Sequence, residues 1–241
     1  MADQYPIFHL DKGPHPRSRI GFGWLRLGKP SAPPAPPSLI IWHSDLNADK
    51  IYKLNTSGSI LDSFASPSST PVGVGVDSDG CIWNMDRSSK IYKMNQSGSI
   101  ISSFTGSAAN PTGLDIDAND YIWYADRDGT GTIYKSTREG TVLDSWGSPS
   151  SVPQGVDMDS NGCIWVADQG NIIHKCKQDG SIISSFTTPD YNYGLSIDNN
   201  DCLWHIRYFS AVIVQINQSG SLVSSFACPS SGYRGVGVEV V

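Results

Sequence analysis

Residues able to do chemistry recur in this chain at regular intervals. An Asp stands three residues after a Trp at Asp45, Asp86, Asp126 and Asp168, and Arg207 takes that place in a fifth copy. A second column, flanked by apolar residues, reads Gly75, Asp115, Asp157, Ser196 and Gly237. Paired carboxylates are hard oxygen ligands, so Asp115 and Asp157 are weak candidates for a cation such as Ca²⁺. Two carboxylates alone make a poor cage, and no metal or other cofactor is otherwise expected. His43 and His205 each follow a Trp, a position from which a base or a metal pair is conceivable, although packing is the favoured reading. Aromatic and cationic side chains gather late in the chain. Tyr191, Tyr193, Arg207, Tyr208, Tyr233 and Arg234 form a candidate ligand-binding set suited to stacking on a sugar or contacting a protein. No nucleophile motif, phosphate loop or dinucleotide fingerprint is present.

These columns belong to a repeat. The anchors Trp42, Trp83, Trp123, Trp165 and Trp204 are separated by 41, 40, 42 and 39 residues. A short apolar segment follows each anchor, as in IYKLN from Ile51 and IYKMN from Ile91. Next come a turn glycine (Gly58, Gly98, Gly140, Gly180, Gly220) and a segment ending in an aromatic (Phe64, Phe104, Trp146, Phe186, Phe226). A lead-in such as PVGVGVD at Pro71 or PTGLDID at Pro111 opens the next copy. Apolar and polar residues alternate along these segments, as half-buried strands require. A period near 40 with four strands per copy predicts a blade of a β-propeller.

The first copy starts at Leu39 without a lead-in strand, and the last residues, GVGVEVV from Gly235, supply one. The fold expected is therefore all-β: a five-bladed propeller over residues 39–241, closed by its C-terminal strand, which removes the open sheet edges at the seam. In such a ring the second column points to the central channel. The Asp column and the late aromatics lie together on the face carrying the loops between blades, here the upper face. The pattern P-x-G-V-x-V-D-x-x-G-x-I-W-x-x-D followed by I-Y-K resembles the NHL repeat and the streptogramin-lyase-like propellers over about five-sixths of the chain. That resemblance implies the fold. Members usually have six or seven blades, and the lyases and similar lactonases use Glu and His around a metal. The only Glu residues after residue 38 are Glu139 and Glu239, so that constellation does not carry over.

The net charge of -6 is uneven. Residues 1–38 hold five basic and two acidic residues, and the remainder twelve basic and twenty-one acidic. An acidic body argues against nucleic acid as a partner. No apolar run is long enough to insert in a membrane. No signal peptide is visible, so cytosolic synthesis is expected. Five Cys, an odd number, fit a reduced chain. Asn55, Asn95 and Asn217 open N-x-S sequences in the same turn column, where Asn-x-Ser-Gly is good turn chemistry by itself.

Residues 29–38, KPSAPPAPPS, read as a stiff Pro-rich linker. Residues 1–28 read as an anchoring arm, with Ile7, Phe8, Leu10, Ile20, Phe22, Trp24 and Leu25 as the side chains that would bind a partner. Arm, linker and exposed β-domain give the leading functional expectation: a non-enzymatic binding or structural module tethered to a larger protein assembly, laid out like a virion decoration or fibre protein. A free lectin-like propeller binding glycans is the alternative, and a metal-dependent lyase or lactonase the second alternative.

Overall fold

The computed structural model describes residues 38–241. The arm, its seven named side chains and all of the linker except Ser38 lie outside the described residues.

Twenty strands form five antiparallel sheets of four. One blade shows the plan. Its inner strand β4 (Pro71–Val76) pairs with β5 (Ile82–Asp86), β5 with β6 (Lys90–Met94), and β6 with the outer strand β7 (Ile100–Thr105). The closing blade is assembled from both ends of the ring. Strand β20 (Tyr233–Val240) pairs with β1 (Leu39–Asp45), placing Trp42 opposite Gly237. Ser38 and Val241 exchange backbone hydrogen bonds of 2.9 and 2.8 Å at the seam. The expected five-bladed, terminally closed propeller is the fold observed.

The inner strands β20, β4, β8 (Pro111–Ile116), β12 (Pro153–Met158) and β16 (Asn192–Ile197) surround the axis, each packed on the next. The glycine of the P-x-G lead-in permits this approach. A Cβ on Gly73 would meet the Leu114 amide nitrogen at 2.4 Å, and one on Gly113 the Gln154 carbonyl at 2.4 Å. The turn glycines serve the rim. Gly98, at φ +83°, lies against the ring of Phe64 from the preceding blade, which explains why an aromatic ends each outer strand. Between blades, the five anchor Trp are at most 1% exposed and dominate the apolar clusters.

Five inner strands enclose little axial space, and the polar column fills it. Asp115, Asp157 and Ser196 are 2–4% exposed. Asp157 accepts the Ile197 amide at 2.7 Å, and Ser196 accepts the Val238 amide at 3.1 Å, so each reaches the next inner strand. These contacts tie neighbouring inner strands together between an upper and a lower mouth of the ring.

Candidate functional site: two mouths of the ring

The upper mouth carries the loops between blades. The Asp column caps these loops, because a carboxylate can accept several loop amides at once. Asp86 accepts the Ser88 and Lys90 amides at 2.9 and 3.0 Å, and Asp126 accepts those of Ala109, Asn110 and Asp128 at 2.7–2.9 Å. Where Arg207 interrupts the column, Asp190 in the preceding loop takes over, accepting the Phe209 and Ser210 amides at 3.0 and 2.6 Å. Sequence reasoning missed Asp190, because the substitute lies outside the column.

The late aromatics do meet on this face. Tyr193 and Tyr208 have ring centroids 5.0 Å apart, Tyr208 and Tyr233 5.7 Å, and Tyr191 and Phe209 4.8 Å. The Arg234 guanidinium lies 4.8 Å above the Tyr193 ring. Phe209 is 71% exposed, while Tyr193 is buried. Arg207 ends its strand opposite Asn192, with its buried Nε unpartnered.

The lower mouth carries the turns between the first and second strands of each blade. Here a cavity of about 620 Å³ opens on the axis, a volume suited to a small-molecule ligand. Each turn contributes an Asp six residues before the anchor Trp. Asp77, Asp117, Asp159 and Asp198 accept the indole N–H of Trp83, Trp123, Trp165 and Trp204 at 2.8–2.9 Å. They also accept amides of their own turns. The closing blade has no such turn, and Glu239 reaches Trp42 Nε1 at 3.0 Å instead. Lys93 and Lys175 pair with Asp77 and Asp159 at 2.9 Å, and Arg138 reaches Asp79 at 2.9 Å. Burial works to raise the Asp77 and Asp159 carboxyls. For Asp77 the bonds from Lys93 and Trp83 outweigh it, for Asp159 those from Trp165 and Lys175, and both carboxyls lie below the usual value.

Asp157, at the floor of this cavity, behaves oppositely. Burial pushes both Asp157 and its neighbour Asp115 well above the ordinary carboxylate value, and the charge of Asp157 raises Asp115 further. Asp157 receives the Met158 and Ile197 amides at 2.7 Å, whereas Asp115 Oδ2 has no partner. Burial thus favours the protonated form of both carboxyls, and Asp115, which accepts one amide, that of Ile116 at 2.8 Å, has one amide fewer than Asp157 to stabilise its charge. Carboxyls driven apart in acidity within one cavity are the raw material of acid–base chemistry.

The metal implied by the resemblance does not fit these residues. Among the described residues no three His, Cys, Asp or Glu lie where one ion could be held. His43 and His205 are fully buried, and burial lowers them to about 4 and about 3. His43 Nδ1–H donates to the Gly235 carbonyl at 3.0 Å, the bond that the Asn84 side chain makes to Gly73. That is a packing role.

No protein-family model and no curated protein matches the chain. Solved structures do. A protein of unknown function from Bacteroides caccae superposes with a TM-score of 0.57 at 15% identity, covering 80% of this chain and 73% of that one. A streptogramin B lyase gives 0.53 at 23%, covering 84% and 72%. A catalytically inactive virginiamycin B lyase from Staphylococcus aureus, solved with quinupristin, gives 0.51 at 24%, covering 76% and 64%. The chain thus has the fold of the propeller superfamily that includes these lyases. The expectation of a non-enzymatic structural module, with its virion and adhesion reading, is corrected by this likeness, because the fold is one that carries catalysis. At these identities the likeness establishes the fold alone.

Proposed function

We propose that the protein is a lyase-type enzyme whose reaction takes place in the lower cavity. The observation that supports this reading is Asp157, a buried carboxyl of raised pKa lining a 620 Å³ cavity beside Asp77 and Asp159, whose carboxyls lie below the usual value. In its ionised form Asp157 takes a proton from the carbon next to a carbonyl of the bound ligand. The C–H electron pair closes a carbon–carbon double bond, the adjacent carbon–oxygen bond breaks, and the oxygen leaves with that bond's pair. The proton on Asp157 then passes to the departing oxygen or to water in the open cavity, which resets the base. The lyases of similar fold, one of them solved with quinupristin, make quinupristin and simpler carboxylic esters the first compounds to try.

The assay follows the new double bond by ultraviolet absorbance. Asp157→Asn should lower kcat by at least about 100-fold while leaving the fold intact by circular dichroism. An intact protein that turns over none of these compounds, or an Asp157→Asn variant of unchanged rate, counts against the reading.

The exposed Phe209 favours a second reading, that of a carbohydrate-binding face built from Tyr191, Tyr193, Arg207, Tyr208, Tyr233 and Arg234. A glycan array probed with the intact protein and with Phe209→Ser tests it, and a blank array for both would sink it.

A further inference from the structure

The upper mouth contains a site of a different kind. Arg87 and Arg127 occupy equivalent loop positions in neighbouring blades, fixed by their own amides bonding to Thr70 and Asn110 carbonyls. Arg234 comes from the closing strand β20. The three converge on a crevice of about 10 Å³, together with Thr112 and Gln154. That volume is roughly one water or one oxygen atom.

Nothing among the described residues neutralises this cluster. No carboxylate lines the crevice, and Arg87, Arg127 and Arg234 are absent from every ion pair among the described residues. Arg138 at the lower mouth has three carboxylates within 4 Å. The Asp residues of the upper loops are turned to backbone amides. Burial, then the charges of Arg234 and Arg127, hold the Arg87 guanidinium below its usual value. Gln154 is a second, independent observation. It is 2% exposed, lines the crevice, and its Nε2 has no acceptor. Arg234 Nε is equally unpartnered, while the Tyr193 ring fixes the plane of its guanidinium. A buried donor without an acceptor is costly, and so are like charges held together; one anionic acceptor relieves both.

We propose that the upper mouth is an oxyanion-binding site that takes a carboxylate or phosphate group. One oxygen enters the crevice against Gln154, and the remaining oxygens accept from Arg87, Arg127 and Arg234. The site is separate from the lower cavity and does not depend on the lyase reading.

The test is thermal unfolding and calorimetric titration of the full chain with inorganic phosphate and with acetate, at constant ionic strength made up with sodium chloride. Wild type should show a saturable rise in Tm. A stronger response to acetate assigns the site to carboxylates, and a stronger response to phosphate assigns it to phosphate groups. The exposed change Arg87→Gln combined with Arg127→Gln should weaken binding at least tenfold, and Asp79→Asn at the lower mouth should leave it unchanged. Gln154→Leu, which keeps all three charges, should weaken binding several-fold and serves if the double variant does not fold. Chloride acting as well as phosphate and acetate, or undiminished binding in these upper-mouth variants, would overturn the proposal.

Discussion

The two mouths are made by the same repeat, yet they hold charge in opposite ways. At the lower mouth the carboxylates are components of the blade: each ties an indole to its turn, and Lys or Arg side chains stand beside several of them. At the upper mouth the carboxylates are spent on loop amides, and Arg87, Arg127 and Arg234 have no carboxylate partner among the described residues, although Arg127 Nε donates to Asn110 Oδ1 at 3.1 Å. The difference teaches that charge count is a poor guide to function in a repeat protein. The repeated acidic residues are architecture. The proposed chemistry rests instead on positions that only some blades fill with a charge, Asp115 and Asp157 below and Arg87, Arg127 and Arg234 above.

The comparison is most exposed at the indole anchors. Asp117→Ala removes the acceptor of Trp123 Nε1 and of two turn amides, and should cost about 3 kcal/mol in urea unfolding. A cost no larger than that of a surface change would show that the lower ring is not structural. Glu239→Asp comes next. The shorter arm should lose the bond to Trp42 or that from Gln96, at about 1–2 kcal/mol, and loosen the closing blade.

The axial pair separates itself by pH. Its raised pKa values mean that the folded state binds more protons than the unfolded chain above the ordinary carboxylate value. Stability therefore falls as pH rises through that window, by up to about 1.4 kcal/mol per pH unit for one group. Asp115→Asn should flatten this slope and raise Tm at neutral pH; an unchanged profile would place the proton elsewhere. The buried histidines act in the other direction. His43, lowered to about 4, gives stability that is complete above the unfolded value near 6.5 and is lost as pH falls towards 4. His43→Gln should remove its share of that acid-side loss in a pH series of unfolding curves.

The smallest effect is at the upper mouth. Arg87→Gln relieves like-charge repulsion and should raise stability by a few tenths of a kcal/mol at low ionic strength, a gain that disappears near 1 M salt, where the Debye length is about 3 Å. A destabilisation instead would mean that the arginine is structural, like the carboxylates below.

Much of the fold was legible because a repeat states its local rules five times. The P-x-G lead-in, the turn glycine and the terminal aromatic each answer a contact with the neighbouring blade, so their spacing alone gave the blades and the seam. The upper-face aromatics were legible for the same reason, since their positions relative to the anchor Trp assigned them a face. The capping by Asp190 was not legible, because a substitute outside the column leaves no periodic trace. Nor were Glu239 as an indole anchor, or the concavity of the lower rather than the upper mouth.

The sequence by itself determined blade number, strand order, closure and the face on which each column lies, since these follow from alternation within strands and a constant period. Only the tertiary structure decided that Arg87, Arg127 and Arg234 share one crevice, and that Asp115 and Asp157 are buried side by side at the axis. Those properties depend on distances between side chains of different blades, and such distances are set by ring closure and the width of the axis, not by spacing along the chain.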